Sequence, residues 1–196
     1  MSKARQRIYV RVPIDRLGAV IGGKGSIKQR IMDLTSTRIT VDSENSLVII
    51  EPETEDVPPI NLMKAAEIIK AIAYGFPPDK AFRLLEDDQI LVLVDLKQIV
   101  GDAPNHLKRV KARIIGEHGR ARKALEEMTG TYINVGEYHV AIIGDYERAM
   151  AAKKAVEMLA EGRMHSTVYR YLERVLREIK RRETLQLWAK DEFNNP

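Results

Sequence analysis

The sequence predicts an α+β fold: two copies of one small module in tandem, followed by a helical extension. Three observations carry that reading. The stretch Ala19–Val41 recurs without a gap as Arg113–Val135, so that Ile21, Gly22, Gly25, Lys28 and Ile39 meet Ile115, Gly116, Gly119, Arg122 and Ile133. Around each stretch, runs of period two and runs of helical period follow in the same order. Residues 163–196 have no counterpart in the first copy. The 196 residues are 44% hydrophobic and 31% charged, which suits packed cores beneath an ionic surface.

In the first copy, RIYVRVP alternates and is expected as a strand that Pro13 ends. One helix leads into VIGGKGSIKQRI and another leaves it, from Ser26 to about Leu34, with Ile27, Ile31 and Leu34 sharing a face. RITV reads as a strand, Ser43–Asn45 as a turn and SLVII as a strand. A longer helix then runs from about Pro59 to Ala73, its proline in the first turn, where no hydrogen bond is lost. Gly75 and the prolines of YGFPPDK stop this helix and stiffen a link.

In the second copy, QILVLVDL is a mostly buried strand and GDAPNH an irregular insertion. The helix after the loop spans Arg120 to about Met128, with Ala121, Leu125 and Met128 on one face and Gly130 as its stop. YINV, a turn at Gly136–Tyr138, HVAII and a helix from about Tyr146 to Glu161 complete the copy. Domains are expected at 1–76 and 77–162, with the extension at 163–196. In that extension Val168, Leu172, Val175, Leu176 and Ile179 form one helical face, expected to pack across the second module. Ser166 or Thr167 would cap its start. Its many arginines and lysines would otherwise make a basic arm, and Trp188 and Phe193 would anchor a partner or cover the core.

Formal net charge is only +4, but the charges cluster. Residues 1–31 carry Lys3, Arg5, Arg7, Arg11, Arg16, Lys24, Lys28 and Arg30 against Asp15. Residues 105–125 carry Lys108, Arg109, Lys111, Arg113, Arg120, Arg122 and Lys123 against Glu117. Two basic blocks, each around a glycine loop, set up local positive fields that attract phosphates. The N-terminus lacks a signal-peptide pattern and no run of about 18 apolar residues occurs, so a cytoplasmic chain outside the membrane is expected. There is no cysteine, hence neither a disulfide framework nor thiolate chemistry.

A helix start behind a glycine loop offers backbone N–H groups and the positive end of the helix dipole to an anion. The spacing excludes two kinds of nucleotide loop. A Walker loop needs G-x-x-x-x-G-K-[ST], whereas here Lys24 precedes the last glycine and Ser26 follows it. A dinucleotide loop needs G-x-G-x-x-G between strand and helix, and GGKG stands between helices.

VIGGKGSIKQRI and RIIGEHGRARKAL resemble KH motifs, and the order strand–helix–loop–helix–strand–strand–helix resembles the type I KH fold, a three-stranded antiparallel sheet packed on helices. The resemblance implies that each loop clamps the backbone of about four single-stranded nucleotides while an adjoining groove reads bases. Carried over, Gly22, Gly23, Lys24 and Gly25 form the first clamp, and Gly116, Glu117, His118 and Gly119 the second. Lys28, Arg30, Lys111, Arg113, Arg120, Arg122 and Lys123 complete the expected RNA-binding set, the last group offsetting the phosphate-repelling Glu117. The groove wall would come from Ile21, Ile27, Ile39, Ile115, Ala121 and Ile133.

Two divergent KH modules and a tail opening RMHSTVYRYLERV resemble the Partner-of-NOB family of small-subunit assembly factors, in its archaeal form. That resemblance implies binding near the 3′ end of 16S ribosomal RNA. It also implies partnership with the endonuclease that trims this end and with the alpha subunit of archaeal initiation factor two. No cofactor is expected. An RNA-recruiting exosome-type subunit is the alternative, though no S1-type barrel block is present. Catalysis has little support: His106, His118, His139 and His165 lack metal-ligand spacing, and Asp87 with Asp88, the one carboxylate pair that a metal nuclease would use, reads as a turn before a strand.

Overall fold

The computed structural model describes residues 6–194, with side chains through residue 185. Two compact units divide the chain, one ending at Leu91 and one beginning at Val92. The first contains β1 (Ile8–Arg11), α1 (Ile14–Ile21), a tight 3-10 turn at Gly23–Gly25, α2 (Ser26–Thr35), β2 (Thr37–Asp42), β3 (Leu47–Pro52) and α3 (Pro59–Ala73). β3 lies between β1 and β2 and is antiparallel to both, Val10 facing Val48 and Ile39 facing Ile50. Strand alternation sends Val10, Ile39, Val48 and Ile50 into the core and leaves Tyr9, Arg38 and Thr40 exposed. α3 closes that core with Leu62, Ile68, Ile69 and Ile72. Pro59 sits at its first position, where the missing N–H costs nothing.

After α3 the chain does not run as a bare link. α4 (Pro78–Ala81) and a 3-10 turn at Phe82–Leu85 fold back on α3, burying Phe76, Ala81, Phe82 and Leu84. Lys64 of α3 fixes this return by donating to the Leu85 carbonyl and to Asp87. The prolines of this segment start helical turns instead of only stopping one, and the apolar set Phe76, Ala81, Phe82 and Leu84 supplies the contact.

The second unit follows the same plan from β4 (Gln89–Asp95). Here α5 (Leu96–Val100) precedes α6 (Pro104–Ile115), and a tight turn at Glu117–Gly119 leads into α7 (Arg120–Thr129). β5 (Tyr132–Val135), β6 (His139–Asp145) and α8 (Tyr146–Ala160) complete it, with β6 between β4 and β5. The GDAPNH stretch is less irregular than its composition suggests. Asp95 caps α5 by accepting from the Lys97 N–H, and Lys97 lies over the Tyr138 ring and 3.1 Å from Asp102. Pro104 then opens α6. As expected, Gly130 ends α7 in the left-handed conformation, and Ser36 takes that place in the first unit.

α9 (His165–Asn194) packs against α8 and α7. Val168, Leu172 and Ile179 are buried and Val175 and Leu176 half-buried, as the period predicts. Burying each large aliphatic side chain stabilises by about 1.5–3 kcal/mol. Ion pairs Arg182–Glu147 and Arg148–Glu183, at 3.0 and 3.1 Å, run beside this seam. Neither Ser166 nor Thr167 is the cap, because the helix starts at His165 and both lie in its first turn. Trp188 and Phe193 lie outside the residues whose side chains are described, as do Lys3 and Arg5.

One inward position also differs. Leu34 is 51% exposed, and the residue that follows Ile31 into the core is Thr35, four positions on. Its hydroxyl donates to the Ile31 carbonyl and pairs with the Thr37 hydroxyl at 2.8 Å. Thr129 repeats both contacts with Leu125 and Thr131. All four threonines are buried, so each pair satisfies its own hydroxyls where α2 or α7 hands over to a strand. Thr35→Val is therefore expected to cost about 1–3 kcal/mol by leaving the Thr37 hydroxyl short of a partner. Urea unfolding measures this, and an unchanged midpoint would mean that the pair contributes nothing.

Candidate nucleic-acid interface

Each glycine turn joins two helices at a sharp angle, and the two turns have the same backbone. Gly22, Lys24 and Gly25 have φ of 74°, 53° and 82°, and Gly116, His118 and Gly119 have 73°, 52° and 76°. The first glycine is sterically required. A Cβ on Gly22 would lie 2.5 Å from Ile27 Cγ1 and 2.8 Å from the Ile27 nitrogen, and one on Gly116 would lie 2.6 Å from Ala121 Cβ and 2.8 Å from the Ala121 nitrogen. The following position meets nothing within 4 Å at Gly23, which is why Glu117 can stand in its place. The turn's own backbone bonds use the N–H groups of Gly22, Gly25 and Ser26. Those of Gly23 and Lys24 are not among them; with the start of α2 behind them they are open to an anion.

Around the first turn, Gly23 and Lys24 are exposed and Lys28 is half-buried. Arg30 is directed elsewhere: its guanidinium stacks 4.5 Å from the Phe82 ring centroid. Around the second, Glu117 and His118 are both about four-fifths exposed and lie 3.8 Å apart.

Several cations expected at the second turn are committed to the protein. Arg113 donates to the carbonyls of Gly162 and Arg163 just beyond α8, so this guanidinium also braces the protein. Arg122 approaches Glu126 at 3.8 Å and Lys123 approaches Glu127 at 3.7 Å, which mutes both. Lys108, Arg109, Lys111 and Arg120 have no acidic partner among the described residues and keep the block cationic. The expected offset of Glu117 by four cations is thus smaller than the sequence implies.

The groove wall also needs correction. Ile39 and Ile133 are each 3% exposed and Ala121 only 6%, so these three fill the cores and present no wall. Ile21, Ile27 and Ile115 flank the turns and are half-buried, which leaves apolar surface beside each anion site. The brace between α6 and the turn before α9 has no sequence signal; Arg113 and His165, which donates to the Arg113 carbonyl at 3.0 Å, are far apart in the chain.

Two units of strand–helix–turn–helix–strand–strand–helix order, each with a G-x-x-G turn whose first glycine leaves no room for a Cβ beside the next helix start, define a tandem type I KH protein. Residues 90–177 match the model of the eukaryotic-type KH domain (type I) drawn from the second domain of PNO1, and residues 7–57 match the KH domain. A KH domain-containing protein of Methanocaldococcus jannaschii is 34% identical over 181 residues, 92% of this chain and 78% of that one. Among solved structures, a protein of unknown function from Aeropyrum pernix superposes with a TM-score of 0.94 and is 72% identical, covering 96% of this chain and 100% of its own. The Dim2p chain of an a/eIF2alpha–aDim2p–rRNA complex from Pyrococcus horikoshii superposes with a TM-score of 0.80 at 43% identity, covering 87% of this chain and 93% of its own. The chain belongs to this family, the tandem-KH proteins represented by archaeal Dim2p and eukaryotic Pno1. It spans about half the length of the animal pno1 proteins that it matches.

The two glycine positions of the first turn should separate in a thermal melt. Gly22→Ala is expected to destabilise by about 2 kcal/mol or more, through strain and the clash with Ile27. Gly23→Ala should stay within about 0.5 kcal/mol of the parent. Equal melting temperatures for the two variants would contradict the steric account.

Proposed function

We propose that this chain is a single-stranded RNA-binding protein that assists assembly and maturation of the small ribosomal subunit without catalysing a reaction, gripping RNA near the 3′ end of 16S rRNA. The observation that carries the reading is the doubled turn: two anion sites of matching backbone, each beside half-buried isoleucines. A phosphodiester placed at Gly23 and Lys24 meets backbone N–H groups without side-chain obstruction, and the adjoining apolar surface suits bases. The Pyrococcus horikoshii relative, solved in complex with rRNA and a/eIF2alpha, supports both the RNA class and the initiation-factor partner. Fungal Pno1 relatives are called pre-rRNA-processing proteins, which supports the maturation step; on this reading the chain also works with the endonuclease that trims the 3′ end.

A binding role also suits the acidic residues. Asp87, one half of the only carboxylate pair with a nuclease reading, hydrogen-bonds Lys64, and this contact holds its carboxyl below the usual range. Among the described residues no group of three histidine, aspartate or glutamate side chains could hold a metal ion, and no helix is long and apolar enough to cross a membrane. The site of action on this reading is the cytoplasm; the KH domains are read as 1–76 and 77–162, with residues 78–85 packing back onto α3 of the first.

The first turn is expected to be the stronger grip, because Lys24 adds charge where the second has the His118–Glu117 pair. Replacing Gly23→Asp and Lys24→Asp together should lower affinity for a short oligoribonucleotide roughly tenfold or more, without loss of melting temperature. Glu117→Asp with His118→Asp should have the smaller effect. A filter-binding assay decides between them, and unchanged affinity in the first variant would remove the turn from the interface. Crosslinking in cells followed by sequencing should give a peak at the 3′ end of 16S rRNA; an even scatter over messages would count against the ribosomal role.

A further inference from the structure

α9 carries a feature that the two turns do not explain. Arg170, Arg174, Arg177 and Arg181 recur at intervals of four, three and four residues. At 3.6 residues per turn they fall within about 60° of arc, along about 16 Å of helix. Their stripe lies opposite the face formed by Val168, Leu172 and Ile179, which is buried against α8 and α7. All four are exposed, and among the described residues none has an ion pair or hydrogen bond through its side chain. Their neighbour Arg182, on another side of the helix, is by contrast paired with Glu147. The helix is held by its buried face and by the bonds at His165 and Glu183, so the stripe is presented on a fixed support.

A row of guanidinium groups is built for a polyanion: Glu173 and Glu178 flank the arc at its two edges, but neither forms an ion pair with the four arginines among the described residues. Arginine offers phosphate a planar fork of donors, and four in line at helical spacing match a chain of phosphates better than a single small anion. The support begins next to the second turn: His165 donates to the Arg113 carbonyl, three residues before Gly116, and Arg170 follows about 8 Å further along the axis.

We infer that the stripe Arg170–Arg174–Arg177–Arg181 is an additional RNA contact, indifferent to sequence, that takes the phosphates of the strand running on from the second turn. It rests on the RNA-binding reading and lengthens the footprint beyond the two clamps. It acts through charge, so it adds affinity and salt dependence without reading bases.

The full chain and a variant with Arg170→Gln, Arg174→Gln, Arg177→Gln and Arg181→Gln are titrated with two single-stranded RNAs. One covers about four nucleotides, the reach of one turn, and the other is several times longer. The variant should bind the long RNA roughly tenfold or more weakly, and its log–log salt slope should shrink by about 3, from about 0.7 for each of four lost phosphate contacts. Binding of the short RNA should be unchanged. The matching Arg→Lys variant should keep the slope, because it keeps the charge; if the fourfold glutamine variant melts early, Arg174→Gln with Arg177→Gln stands in, with the slope shrinking by about 1.4. An unaltered slope and affinity for the long RNA would overturn the inference, which is the result if the stripe serves an acidic protein instead. An equal loss for both RNAs would also overturn it. Failure of the clamp reading looks different: Gly23→Asp with Lys24→Asp then binds the short RNA as the parent does.

Discussion

The close approach of two helices at a glycine governs each unit. At Gly22 and Gly116 the chain turns so tightly that the next helix start occupies the place of the missing Cβ. That contact fixes the angle between α1 and α2, and between α6 and α7. It also leaves the succeeding N–H groups at the rim of the turn. Stability and binding therefore draw on one steric fact, and it explains why the first glycine of each motif cannot vary while the next position can.

Freed from that constraint, the two inner positions diverge in charge. Gly23 and Lys24 make an open cationic rim; Glu117 and His118 make a rim of mixed sign. The surrounding basic residues diverge too. In the second unit, Arg113, Arg122 and Lys123 contact carbonyls or carboxylates of the protein, so that the block is less cationic in space than along the chain, while Lys108, Arg109, Lys111 and Arg120 stay without acidic partners among the described residues. One backbone thus supports two clamps of different electrostatic strength.

Period and repetition revealed most of the architecture in the sequence, because strand alternation and the glycine turns are local properties. β1 ends before Pro13 and α3 begins at Pro59, as local rules require. What was not legible depended on distant or ambiguous partners. Leu34 and Thr35 are adjacent, and only the docked helix shows that the threonine points inward, where Thr37 satisfies it. The prolines near residues 77 and 104 read as breaks but serve as first-turn residues. The isoleucines assigned to a groove wall divide by strand and helix: Ile39 and Ile133 sit on inward strand positions, while Ile21, Ile27 and Ile115 lie at helix ends beside the turns.

Arg113 and His165 together tie the last turn of α6 to the segment that opens α9. A shortened chain ending after the second KH module would strand a guanidinium whose Nε already lacks a bonding partner. The extension is thus part of how the second module is finished, and trimming it to isolate a minimal domain would change the object being measured.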